Sequence, residues 1–286
     1  MADELWGTFS IYDHRDPVFR RALVLFDRVV IPVPDKPIGN LTPEELDGLA
    51  ADADYLTEHG AAVRYNWDSG VFADWQTDIA KEALSLGSRD AFYDTRLMLQ
   101  QRSEDVRPEG VEDVMAVPVY GAREGYNAAV AGLEADPQEK LLADIGQRIS
   151  VPAAGSPLEY IVALRGQPAF RAAMTAFREW HTQVLPEVLT EGSERQVRKA
   201  VRDFEGMLSQ YEAAVAKARF ERTMVWVGSL LAISAQLVPV AEPSLKLMAS
   251  VASPLIAIAK TRQPIWRELQ HKGCAPAAVV YEANRL

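Results

Sequence analysis

Cysteine is almost absent from this chain of 286 residues, which has Cys274 and no other thiol. A lone cysteine excludes a disulfide within the chain, a zinc site built on cysteines and a redox pair. The first ten residues are acidic and lack the apolar core of a secretory signal. Together these features predict a cytoplasmic protein, and the bias to Ala, Val, Arg and Asp suggests a bacterial source.

The common sequence motifs of catalysis are missing as well. The chain has no GxGxxG after a predicted strand, no P-loop, no HExxH and no GxSxG. These absences argue against nucleotide-binding, zinc-protease and serine-hydrolase activities in their usual form. No cofactor and no metal ion are predicted.

Positive charge is scarce in the first half of the chain. Residues 1–150 hold 14 basic and 28 acidic side chains, a net charge of −14, whereas residues 151–286 hold 16 and 12, a net charge of +4. A nucleic-acid groove requires clustered Lys and Arg, so the acidic half argues against nucleic acid as a partner.

Ionisable side chains are absent over 19 residues from Thr223 to Ala241, and a second apolar run covers 247–259. We predict an apolar helical hairpin over 223–259. It is either buried in a helical core, or inserted in a membrane from the side of its basic flanks. A bilayer span needs about 20 apolar residues, so the second run is short for the membrane hypothesis. Lys246 and Pro254 also argue against that hypothesis.

A long helical hairpin is predicted just before this apolar stretch. Ser193 and Gln196 form a capping box that starts a helix at Glu194. The short Glu191-Gly192 connection makes this helix antiparallel to the preceding one. Apolar positions spaced by four and three residues predict the seam between the two helices. They are Phe170, Met174, Phe177, His181, Val184 and Val188 in the first helix, and Val197, Val201, Phe204, Leu208, Tyr211, Val215 and Ala218 in the second.

The first half of the chain alternates strand and helix signals. Apolar runs predict strands over 5–12, 28–33, 61–67 and 114–120, separated by helices. Asp16 before Pro17, and a capping box of Thr42 with Glu45, predict where the first two helices begin. This order is typical of a small parallel or mixed sheet. Asp27 and Arg28, between the first predicted helix and the second strand, are expected to form a local ion pair.

We therefore predict an α+β fold that is mostly helical. Residues 1–150 form an acidic α/β portion, and residues 151–286 form a helical bundle with the long hairpin and the apolar hairpin 223–259. The boundary is placed in the small-residue stretch 150–157. A final strand over 277–281 is predicted to return to the sheet of the first half.

Four polar residues follow the predicted strands and are the candidate site. Asp13 and His14 come after the first strand, Asp35 after the second and Asp68 after the third. Ligands bind beyond the carboxyl ends of strands in open α/β sheets, and carboxylates with a histidine suit metal-assisted or acid-base chemistry. Turn formation also explains Asp13 and Asp68, and no motif spacing ties the four residues together.

The sequence favours a non-enzymatic interaction or effector protein that acts through its helical half. The expected partner is another protein, a second copy of the chain, or a membrane surface that contacts residues 223–259. The alternative hypothesis is an α/β enzyme with an acidic, metal-dependent site at the carboxyl edge of the sheet.

Overall fold

A computed structural model describes residues 4–9, 14, 16–37, 41–68, 99, 102–119, 137–150, 157–191, 194–236 and 264–285. Within these ranges the strands are β1 (Glu4–Thr8), β2 (Arg28–Pro34), β3 (Ala62–Trp67) and β4 (Val114–Pro118). The α-helices are α1 (Pro17–Leu25), α2 (Pro43–Glu58), α3 (Pro137–Gly146), α4 (Leu158–Gly166), α5 (Pro168–Glu191), α6 (Glu194–Gln236), α7 (Ile265–Leu269) and α8 (Ala278–Ala283). Two short 3-10 helices cover Ser103–Val106 and Ala275–Ala277.

The four strands form one parallel sheet in the order β3-β2-β1-β4. Trp6 of β1 is paired with Arg28 of β2 on one side and with Ala116 of β4 on the other. Because β3 and β4 lie at opposite edges, the chain crosses the sheet between them. The sheet was predicted to be parallel or mixed, and its described strands are all parallel.

Helices α1 and α2 begin at the residues that the sequence marks as caps. The Asp16 carboxylate accepts a hydrogen bond from Val18 N at 2.7 Å. Thr42 and Glu45 cap α2 reciprocally, each side chain accepting from the backbone N–H of the other. Such caps satisfy N–H groups that the first helical turn leaves without a partner. Local sequence therefore sets where both helices start.

Both faces of the sheet are covered. Leu5, Val29 and Ile31 belong to a large apolar core, whereas Trp6 and Val30 belong to a smaller one on the opposite face. Successive side chains of a strand alternate between faces, so a strand covered on both sides is apolar throughout. The large core extends from the sheet through α1 into the helical half, where it includes Ile161, Phe177 and Phe204.

The predicted long hairpin is formed by α5 and α6. Phe177 and Phe204 contact edge to face with ring centroids 5.9 Å apart, and Trp180 lies 5.1 Å from Phe204. Nearer the connection, Lys199 lies 4.0 Å from Glu187, so the two helices run antiparallel. All thirteen predicted seam residues are buried or half-buried.

Helix α6 continues well beyond the seam. It has 43 residues, which corresponds to about 65 Å at 1.5 Å per residue. It crosses the point after Arg222 where charged side chains stop, and it ends at Gln236. Among the helices that the structure describes, none combines the length and the apolar character needed to cross a membrane.

The predicted final strand over 277–281 is wrong. Residues Ala275–Ala277 form a 3-10 turn and Ala278–Ala283 form α8. A short apolar run does not distinguish a buried strand from a buried helix by periodicity alone. Here α8 packs against α5 and α6 with Val279 and Val280 fully buried, so helix packing decides the conformation.

The fold is α+β and mostly helical, as predicted. The linker residues 151–156, the predicted cap Ser193 and the second apolar run, 247–259, lie outside the described residues. Of the predicted apolar hairpin, only residues 223–236 are described, and they belong to α6.

His181 is the one histidine in the predicted seam, and it is 2% exposed. Its ring stacks on Phe177 at 6.3 Å, and its Nε2 has no hydrogen-bond partner among the described residues. Burial lowers the pKa of His181 to about 4. The imidazole is therefore neutral in the folded protein at pH 7.

This lowered pKa predicts a loss of stability in mild acid. The unfolded chain binds a proton near pH 6.5 and the folded chain only near pH 4. His181 therefore destabilises the fold as pH falls from 6.5 to 4, by about 3 kcal/mol in all. A His181→Leu variant should be at least as stable as the native protein at pH 7.5 and should lose less stability at pH 5. Urea unfolding at both pH values measures the difference. The same change at exposed His271 should leave the loss in place; equal losses in all three proteins would contradict the assignment.

Candidate functional site

Three of the four predicted site residues lie in the described part of the chain: His14, Asp35 and Asp68. Asp13 lies outside it. Asp35 N donates to Trp67 O at 2.9 Å, so Asp35 and Asp68 extend neighbouring strands at the carboxyl edge. Both side chains are exposed. The structure therefore brings these two aspartates to the same edge, as the parallel strands require.

His14 belongs to different surroundings. Thr8, the last residue of β1, is paired with Val30 of β2. Strand β2 continues from Val30 to Pro34, so it ends about 13 Å beyond the end of β1 along the strand direction. Burial raises the pKa of Asp52 on α2, and the charges of His14 and Arg20 partly oppose that rise. His14 thus contributes to the electrostatic environment of α2.

No three His, Cys, Asp or Glu side chains converge to hold a metal ion within the residues that the structure describes. The catalytic roles suggested for Asp13, His14, Asp35 and Asp68 stay predictions. The strand order reverses between β1 and β4, and α/β sheets bind ligands at the carboxyl edge at such a switch point. The segments that follow these strands there, 10–13 and 120–136, lie outside the described residues.

A cavity of about 540 Å³ lies at the opposite, amino edge of the sheet. Its walls come from the residue before β2, Asp27, from His59 and Gly60 before β3, and from α4 and α5. Gly60 has a φ of 68°, a left-handed conformation that turns the chain from α2 into β3 at little steric cost. The cavity therefore forms where the α/β portion meets the helical portion.

Arg165, at the end of α4, holds these two portions together. Its Nη1 donates to Leu23 O and to Phe26 O, the latter at 2.9 Å, and its Nη2 donates to Asp27 O. Carbonyls of the last helical turn have no partner within the helix. One guanidinium thus caps the end of α1 and neutralises the negative end of its dipole. Burial lowers the pKa of Arg165, and Asp27 opposes that shift.

Asp27 is the second member of this junction. Its Oδ2 accepts from Leu5 N at 2.8 Å and lies 3.4 Å from the Arg178 guanidinium of α5. Burial raises the pKa of Asp27, while the Leu5 hydrogen bond and Arg178 lower it in part. The carboxylate therefore connects β1, the start of β2 and α5.

The expected ion pair between Asp27 and Arg28 is not formed. Arg28 Nε instead donates to Glu4 Oε2 at 2.8 Å, and Asp27 faces Arg178. Residues 27 and 28 stand where β2 begins, and neighbouring side chains of a strand point to opposite sides. Partners from β1 and α5 are therefore closer than the adjacent residue.

The junction was not predictable as a site from sequence. Arg165 and Arg178 carry no motif, and their partners are 138 and 151 positions away along the chain. The only local signal is the spacing of Arg171 and Arg178, seven residues apart on α5. That spacing puts two cations on one helix face together with the apolar seam residue Met174.

A comparison of the chain with protein-family models, with curated proteins and with solved structures found no match. No similar protein therefore indicates a function for this chain.

The capping role of Arg165 predicts a stability effect. Arg165→Met keeps much of the apolar stem but leaves three carbonyls without their donor, which should lower the free energy of unfolding by about 3 kcal/mol. Arg195→Met is the matched control, because Arg195 is exposed and makes no ion pair with the described residues. Urea denaturation of both variants measures the effect. Equal midpoints for the two variants would show that Arg165 does not fasten the junction.

Proposed function

We propose that this is a non-enzymatic interaction protein that acts through its helical half, by pairing the outer face of α6 with the same face of a second copy. The observation that carries the proposal is the continuity of α6. The helix runs without a break from its charged part into the apolar stretch after Arg222. Helix α6 thus connects the packed part of the chain directly to the apolar stretch.

The two faces of α6 differ sharply at this point. Val215 and Ala218 face the body and are 5% and 9% exposed, whereas Phe220 is 65% exposed. Positions four, seven and eleven residues after Phe220 share its face of the helical backbone, and they are occupied by Met224, Val227 and Leu231. In the sequence, Phe220 is therefore the first of a row of apolar residues at helical spacing.

Charges beside Phe220 suit a second copy of the same helix. Lys217 and Glu221 are exposed and lie 3.8 Å apart, and they precede and follow Phe220. In an antiparallel pairing about a twofold axis, each lysine would face the glutamate of the other copy. An apolar row with complementary charges at its border is the usual composition of a helix-pairing surface.

The apolar stretch is also anchored at both ends. Arg222, where the charges stop, donates to Glu268 on α7, which follows the stretch. Helix α7 packs against α6 at this position. Chain segments on either side of 223–259 therefore lie side by side, which supports an apolar hairpin that acts as one unit. The acidic α/β portion would then modulate what the helical half binds.

An α/β enzyme is the second candidate. It is favoured by the parallel sheet, whose strand order reverses between β1 and β4, and by Asp35 and Asp68 at the carboxyl edge. The helical half offers the stronger argument, because an exposed Phe220 at the start of an apolar row requires a covering surface.

Sedimentation of the native protein over a dilution series tests the proposal. We expect a reversible dimer, and Phe220→Glu should weaken it at least roughly thirtyfold, since a central aromatic contact contributes about 2 kcal/mol or more. Leu189→Glu is the matched control, because Leu189 is 46% exposed on α5 and lies outside the proposed surface. It should leave the dimer unchanged.

Two results would contradict the proposal. A native protein that stays monomeric at all concentrations would remove the second copy as the partner. Flotation of the native protein with anionic liposomes, abolished by Phe220→Glu, would show that a membrane surface covers this face instead.

A further inference from the structure

The cavity at the amino edge has the dimensions and the composition of a small-molecule site. Its volume of about 540 Å³ falls within the usual range of about 300–1,000 Å³ for ligand pockets. Phe170 and Met174, which are 1% and 9% exposed, give it an apolar floor. Polar groups from α4, α5 and the end of α2 surround its opening.

Cations outnumber anions among these polar groups. Three arginines line the cavity, Arg165, Arg171 and Arg178, against the single carboxylate of Asp27. Arg165 donates to backbone carbonyls, and Arg178 faces Asp27. After Asp27 is paired, the cavity retains an excess of positive charge.

Arg171 is the cation that remains available. It is exposed at the rim, and its guanidinium has no hydrogen bond or ion pair with the residues that the structure describes. It precedes Arg178 by two helical turns on the same face of α5, so both side chains border one opening. A guanidinium at such a position binds carboxylate or phosphate oxygens by paired hydrogen bonds.

His59 stands on the opposite side of the opening, at the end of α2. Its Nδ1 donates to Tyr55 O at 2.8 Å, which fixes the ring against the helix. Its Nε2 takes no part in that bond and is a second hydrogen-bonding group at the cavity, besides Arg171.

We propose that this cavity binds a small organic oxyanion, with the phosphate or carboxylate on Arg171 and its apolar part on Phe170 and Met174. This site is separate from the face of α6 that contains Phe220, so each proposal stands or falls without the other. A bound ligand would contact α4, α5 and the residues that precede β2 and β3, and would stabilise the junction between the two portions of the chain.

Isothermal titration of the full-length protein with phenyl phosphate, inorganic phosphate, benzoate and benzylamine tests the proposal. We expect saturable binding of phenyl phosphate, weaker binding of inorganic phosphate because it lacks the apolar part, and no binding of benzylamine. Benzoate distinguishes a carboxylate site from one that needs a phosphate. Arg171→Gln should weaken phenyl phosphate binding at least tenfold, whereas Arg195→Gln on α6 should leave it unchanged.

A second variant fills the cavity without removing a charge. Gly166 lines the cavity at the end of α4, and a Cβ placed there meets no atom within 4 Å. Gly166→Leu should therefore abolish phenyl phosphate binding while the melting temperature of the free protein is kept or raised, since leucine favours helix over glycine. Absence of saturable binding by both phosphate probes would overturn the proposal. It would also be overturned if both variants bound phenyl phosphate with native affinity, or if benzylamine bound as tightly as phenyl phosphate.

Discussion

The guanidinium of Arg165 is the contact on which the arrangement of this protein depends. It caps the carbonyl end of α1 from a helix more than 130 residues later, and it does so beside Asp27, whose carboxylate holds β1 and α5. The apolar core that also joins the sheet to the helical bundle is non-directional and sets no unique orientation by itself. Directional hydrogen bonds from one planar cation fix that orientation. The same meeting point forms the cavity that Arg171 and His59 border, and Asp27 is the one carboxylate among the described residues that line it.

Helix α6 combines a structural role with the pairing role that we propose for its outer face. Up to Ala218 one face belongs to the core, where Phe204 packs against Phe177 and Trp180. From Phe220 onward the outer face becomes apolar in sequence while the helix continues unchanged. Because the helix is continuous, any contact made by the segment after Phe220 is transmitted directly to the core. The ion pair between Arg222 and Glu268 marks the position where the first role ends.

Local patterns predicted the helix caps, the parallel strands and the hairpin seam, because each depends on residues close in sequence. Thr42 with Glu45, and the spacing from Val197 to Ala218, are examples. Two predictions failed where distant packing decides. The run 277–281 is helical because α5 and α6 cover it, and Asp27 pairs with Arg178 because β2 turns Arg28 toward Glu4. The cavity was missed for the same reason, since its arginines converge only in the folded chain.

Thermal unfolding of a shortened chain tests whether the folded core, including α7 and α8, forms without residues 223–259, as it must if the apolar stretch serves an interaction. Residues 223–259 would be replaced by a Gly-Ser linker of about eight residues, which spans roughly 16 Å and so bridges the neighbouring positions of Arg222 and Glu268. We expect the shortened chain to unfold in a cooperative transition, with a melting temperature within a few degrees of that of the native protein. A chain that fails to fold would contradict this expectation, because the apolar stretch would then be part of the core.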